Sequence, residues 1–329
     1  MRLKVGRPDL RDYQDRFDTP TAIPESPLTV RWAGVTTLLI DDGTSAVLTD
    51  GFFSRPDLLR VGLRTIAPSA ERVTDALDRL GVQKLDAVLP VHTHFDHALD
   101  SALVAERTGA MLVGGGSAAQ IGFGHGLPAD QVQTVASGAA VKLGNYRITL
   151  IQSGHCPPDR YPGRIDAPVV PPVRASAYRC GEAWSLLLEH SRSGRSMLIV
   201  GSAGYRAGAL TGRHADVVYL GVGQLGLQPR SYIVDYWTET VRAVGARRVV
   251  LIHWDDFFRP LDRPLRALPY AGDDLDVSMR VLTALAAEDA VPLHLPTLWE
   301  PADPWRQSGD AAGFAAPPAG TRSFPVAGS

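Results

Sequence analysis

The chain has 329 residues, enough to bury a sizeable core as one large domain or two small ones. Its 33 Lys and Arg offset 35 Asp and Glu to a formal net charge of −2 without like-charge runs, which excludes the basic footprint of a nucleic-acid binder. Two cysteines exclude a disulfide scaffold, and no apolar run approaches the ~18–20 residues of a membrane span. The first ten residues carry no apolar core of signal-peptide length, so a cytoplasmic protein without stable membrane insertion is expected. The wealth of Ala, Arg, Gly and Pro points to a GC-rich bacterial genome.

Residues 1–27 are polar and proline-punctuated and read as an N-terminal arm. Strands are predicted at 28–32 and 35–40, then, after the turn Asp41-Asp42-Gly43-Thr44, at 46–49, an antiparallel meander. Ser69 opens a helix whose face Val73, Leu77 and Leu80 is apolar and which Gly81 stops. The apolar run 85–91 predicts a buried strand, and a helix over about 97–107 follows, with Asp96 as its N-cap. Further strands are expected at 110–113, 146–151, 184–188, 196–200, 217–220 and 248–252, and helices at about 231–244 and 277–288. Strands that first come in pairs and later alternate with helices predict an α/β protein with two sheets, each covered on its outer side by helices. Residues 156–180 form a proline-rich excursion long enough to act as a lid, and 300–329 read as a flexible C-terminal tail anchored at most by Trp305.

Between the strand at 85–91 and the helix after it stands His92-Thr93-His94-Phe95-Asp96-His97. Neutral imidazole is the commonest protein ligand for zinc, with carboxylate a natural companion. His92 and His94, two apart in a turn, are close enough to grip one ion, with Asp96 and His97 one turn on.

The spacing His92-x-His94-x-Asp96-His97 resembles the signature of the metallo-β-lactamase superfamily, and other residues follow in that family's order. The resemblance spans about residues 28–297 and implies a four-layer αββα sandwich of two mixed sheets, filling 28–299. It implies that Asp50 buttresses the metal loop, that His155 completes a first site with His92 and His94, and that His253 closes a second with Asp96 and His97. The opening Arg31-Trp32-Ala33-Gly34-Val35-Thr36-Thr37 is more similar to the branch of ascorbate-6-phosphate lactonase and N-acylphosphatidylethanolamine phospholipase D than to true β-lactamases. In one respect the chain departs from the pattern: Ser202 stands where the family places a bridging aspartate. A hydroxyl brings neither charge nor a strong metal bond, so Ser202 is at best a weak ligand and the second site is weakened. Asp255 or Asp256 could swing in to compensate, against their plainer reading as a loop residue or cap.

These residues imply one tightly held Zn2+, with Mn2+ or Fe2+ as alternatives and a second ion weak or absent. The chemistry expected is metal-assisted hydrolysis of an ester, lactone, amide or phosphodiester in a small or amphipathic substrate, with Asp96, His97 and His253 as catalytic acid/base groups. A degenerate member that binds a ligand without turnover, and an iron or manganese redox enzyme, are the competing readings. Cys156 reads as a small buried filler, not paired with Cys180; Tyr205 as a pocket or packing residue; and His125 as part of a glycine-rich surface turn. Arg160, Arg164, Arg174 and Arg179 read as solvated residues of the excursion. A homo-oligomer is compatible with all of this.

Overall fold

In the first of two sheets, Thr29–Trp32, Leu38–Asp41 and Ala46–Thr49 pair antiparallel as the expected meander. Asp42 closes the turn between the last two by accepting from the amides of Thr44 and Ser45. A computed structural model describes residues 4–306 of the chain. Parallel strands Ala87–Leu89, Met111–Gly114 and Val132–Thr134 extend this sheet on one side, and Pro301–Ala302 pairs with Thr29–Trp32 on the other. The second sheet starts with the antiparallel strands Ala140–Leu143, Tyr146–Gln152, Trp184–His190 and Arg195–Val200. It continues in parallel through Val217–Gly221, Val249–Ile252 and Leu293–His294. A short third ladder joins Thr65–Ile66 to Val173–Arg174 and ties the excursion to the first half of the chain.

The strand alternation explains the layers. On the first sheet, Leu38, Ile40, Val47, Ala87, Leu89 and Val113 face the second sheet and share its core. The intervening Leu39, Leu48, Val88 and Leu112 face outward, under Val73, Leu77, Val104 and Ile121 of the covering helices. The parallel strands of the second sheet are buried end to end, with Trp237, Leu275 and Leu282 of their own helices packed in the same core. The order is helix, sheet, sheet, helix: the αββα sandwich. Among the described residues, no helix is long and apolar enough to cross a membrane.

Ser69 caps the helix Ala70–Leu80 by accepting from the amide of Arg72, and Gly81 ends it at φ +71°. Three expected elements differ. The helix after the histidine cluster is broken into Phe95–Ala98 and Ser101–Thr108, and Asp96 lies inside the first turn, where it caps nothing. Asp100, at the break, accepts from Phe53 N, Ser54 N and Ser54 Oγ, so a tertiary contact holds the kink. The helix expected over 231–244 is Arg230–Trp237 followed by a wider π turn, Thr238–Arg242. His125, read with the glycines around it at 122–126 as a surface turn, instead ends the helix Gly116–His125.

Both ends of the described residues dock on the sandwich. Leu10, Tyr13 and Phe17 pack on the core, and the Tyr13 hydroxyl donates to Asp276. Beyond 299, Pro301–Ala302 joins the first sheet and Trp305 is buried, its indole N–H bonded to Ser196 O, so the ordered fold reaches past the boundary expected at 300. The rest of the expected tail, 307–329, lies outside the described residues.

Candidate metal centre

The strands Tyr146–Gln152, Arg195–Val200, Val217–Gly221 and Val249–Ile252 all run in one direction. His155, Ser202 and His253 therefore leave the second sheet at one edge. From the first sheet, Asp50 and His92 leave the parallel strands Ala46–Thr49 and Ala87–Leu89. The sheets come so close beneath this edge that a Cβ on Gly201 would sit 2.1 Å from Val91.

Here the nitrogens of His92, His94 and His155 lie within 4.8 Å of one another. His92 Nε2 stands 3.2 Å from His94 Nδ1, and the His155 ring centroid is 5.0 and 4.6 Å from theirs. The tautomers follow from the outer partners. His94 Nε2 faces Tyr161 O at 3.3 Å, so it carries the proton and Nδ1 turns a lone pair inward. His155 Nδ1 donates to Cys156 O at 2.7 Å, which leaves Nε2 as a lone pair. Burial, reinforced by the neighbouring imidazoles, lowers the pKa of His92 and that of His155, the latter to about 4, and burial lowers His94. All three rings are neutral at pH 7. Lone pairs that converge in a buried site repel unless a cation stands among them, so this donor set fits a metal ion.

Asp96, His97 and His253 form a second buried group, again within 4.8 Å. Asp96 Oδ2 lies 3.6 Å from His97 Nε2 and 3.5 Å from His253 Nε2. His97 donates from Nδ1 to Asp50 Oδ2 at 2.6 Å, and Asp50 Oδ1 accepts from Val91 N, so Asp50 braces both the ring and the strand end. Burial by itself would raise the Asp96 pKa, but His97 and His253 hold it well below the usual carboxylate range. Burial likewise opposes charge on His97, and Asp50 and Asp96 reverse this and raise its pKa.

Ser202, expected in place of a bridging aspartate, is buried, and its Oγ accepts from Cys156 N at 3.0 Å. Neither expected substitute for the missing carboxylate is free. Asp255 is paired with Arg55 at 2.6 Å, both side chains 0% exposed, and its other oxygen accepts from Val35 N. Asp256 is held by Arg266 and Arg7. Both carboxylates are held by arginines, so the option that either swings in is not taken. Asp255 supports the site indirectly: Val35 O accepts from His253 N, and His253 adopts φ +60° and Val35 φ +48°. Such left-handed backbone at non-glycine residues persists only where its surroundings enforce it.

Cys156 and Cys180 are buried free thiols. Tyr205 is half-buried against Tyr232, and His125 pairs with Glu106. Trp254 packs between Trp32 and Phe17. Arg160, Arg164, Arg174 and Arg179 are exposed on the excursion. Sequence reasoning missed Arg55 and Asp159. Asp159 lies 3.2 Å from His94 Nε2, and nothing in its local sequence marks it.

No protein-family model matches the chain, and no curated protein matches its sequence. Solved structures do. Igni18, a novel metallo hydrolase from Ignicoccus hospitalis, aligns over 83% of this chain and 97% of its own, with TM-score 0.52 at 14% identity. A possible metal-dependent hydrolase from Veillonella parvula aligns over 84% and 99%, with TM-score 0.53 at 12% identity. CmlA, a diiron β-hydroxylase from Streptomyces venezuelae, aligns over 84% of this chain but 54% of its own, with TM-score 0.50 at 13% identity. The fold is that of the metallo-β-lactamase superfamily, as the histidine motif implied.

Proposed function

We propose that this protein is a metal-dependent hydrolase holding one divalent ion, zinc, between His92, His94 and His155. The observation that carries this is the convergence of three neutral imidazoles, two with outer nitrogens hydrogen-bonded so that their lone pairs point inward. Three histidines with an open fourth position are a catalytic zinc arrangement. A divalent ion held there would supply Lewis acidity and make a nucleophilic water available near neutral pH. Asp96, kept ionised by its neighbours, is set to accept a proton from an attacking water and deliver it to the leaving group. The Nε2 atoms of His97 and His253 flank the same carboxylate oxygen and are placed to stabilise charge on the leaving oxygen. With Ser202 in place of a carboxylate and both nearby aspartates committed elsewhere, the second ion is weak or absent. The substrate is an ester, lactone or phosphodiester, small or amphipathic.

The test is hydrolysis of an aryl acetate, a γ-lactone and a bis-aryl phosphodiester by protein stripped with chelator and then reloaded with zinc. Turnover of one class, lost on stripping and restored on reloading, supports the proposal; turnover indifferent to stripping refutes it. The fold shared with CmlA, and a donor set that also accepts iron and manganese, favour a second reading as an oxidative enzyme. Oxygen consumption by the iron-loaded protein would carry that reading. Ser202 favours a third, binding without turnover, and no hydrolysis in any class by zinc-loaded protein would point there.

A further inference from the structure

The excursion that follows His155 is fastened to the metal loop. Thr93 N donates to Cys180 O at 2.9 Å, and Thr93 Oγ1 to Arg179 O at 2.5 Å. Cys180 N in turn donates to Tyr161 O at 2.8 Å, and Ile165 N to Ser117 Oγ at 3.2 Å. This packing brings Asp159 to the outer edge of His94. Its Oδ1 lies 3.2 Å from His94 Nε2, with the side chains 24% and 8% exposed. The same oxygen accepts from Tyr161 N at 3.0 Å, which fixes the carboxylate's direction.

We propose that Asp159 is a positioning residue for the metal centre. Its negative charge, 3.2 Å from the Nε2–H that His94 donates to Tyr161 O, holds that ring with Nδ1 toward His92 and His155, so the excursion sets metal affinity. The inference rests on the assignment of His92, His94 and His155 as ligands. A histidine ligand that donates its outer N–H to a carboxylate is held in one tautomer and made more basic. Tyr161 O takes the Nε2 hydrogen bond and fixes the tautomer, and the carboxylate beside it adds the attraction of its charge. His94, Asp159 and Cys180 also lie within 4.8 Å of one another and could be read as a separate ion site. That would require His94 to ligate through both nitrogens, and it would need a thiol whose pKa burial and Asp159 push far above its usual range.

The test compares wild type with Asp159→Ala and Asp159→Asn. Each is stripped, titrated with zinc against a chromogenic chelator, and loaded with cobalt for its visible spectrum. Asp159→Ala is expected to weaken zinc binding about 10- to 100-fold and to shift the cobalt bands. Asp159→Asn, which keeps an acceptor but not the charge, is expected to fall between. The stripped proteins are expected to melt together. Wild-type affinity and an unchanged cobalt spectrum in Asp159→Ala would overturn the inference while leaving the ligand assignment intact. Equal losses in both variants, matched by a lower melting temperature of the stripped proteins, would overturn it in favour of a purely structural role. A wild type that takes up no metal would overturn the ligand assignment, and this inference with it.

Discussion

Replacing Arg55 by methionine removes the guanidinium from a pair that is 0% exposed on both sides, with Nη2 and Oδ2 2.6 Å apart. The Asp255 carboxylate then keeps only Val35 N, at 2.9 Å, and two carbonyls, Asp256 O and Arg259 O, lose a donor. Breaking one side of a buried ion pair leaves a charge without compensation, at about 3–5 kcal/mol. Methionine fills much of the arginine's volume, so the loss is electrostatic and not a cavity effect. Urea unfolding at pH 7 is expected to show a stability loss of that size at unchanged slope. Arg55→Met combined with Asp255→Asn is expected to recover most of it, since the amide still accepts from Val35 N while the charge is gone. A loss below about 1 kcal/mol in the single variant, or no recovery in the double variant, would refute the claim that Asp255 depends on Arg55. Zinc binding by His92, His94 and His155 is expected to survive, because Arg55 bonds to none of them.

Asp100 gives a pH test: burial raises its pKa to about 6 against the donors of Ser54 and Phe53. The folded state then holds a proton that the unfolded chain has released, so its contribution is present below about pH 4 and fades by about pH 6, by about 3 kcal/mol. The stability difference between wild type and Asp100→Asn, followed by urea unfolding from pH 4 to 6, is expected to move against wild type as pH rises; a constant difference would contradict this. Ser202→Asp supplies a carboxylate where the family pattern has its bridging aspartate, and zinc content by elemental analysis is expected to rise toward two ions per chain. His94→Ala is expected to lose tight zinc binding in chelator competition and all metal-dependent turnover; retention of either would remove His94 from the site.

The histidine cluster was legible because its side chains share one turn at the end of an apolar strand, and that strand's burial was written in its composition. The Ser202 departure was legible too, since it lies one residue past a glycine that ends a strand. What stayed hidden depends on distant parts of the chain. Arg55 and Asp255 are 200 residues apart, and an arginine beside Phe52 and Phe53 carries no sign of a buried partner. Asp96 reads as a cap by position, but the helix breaks at Asp100, whose side chain is drawn to Ser54. The glycines before His125 suggested a turn, yet they sit in a helix because larger residues do not fit. A Cβ on Gly124 would lie 1.9 Å from Val169 O of the excursion, and one on Gly122 2.9 Å from Leu112. Close packing there overrides weak helix propensity.

The most direct test of the account is metal content per chain, by elemental analysis of protein purified without chelator or added metal. The geometry predicts about one zinc, held by His92, His94 and His155. Two ions per chain would contradict the role given to Ser202, and a chain free of metal that refuses added zinc would contradict the metal centre itself.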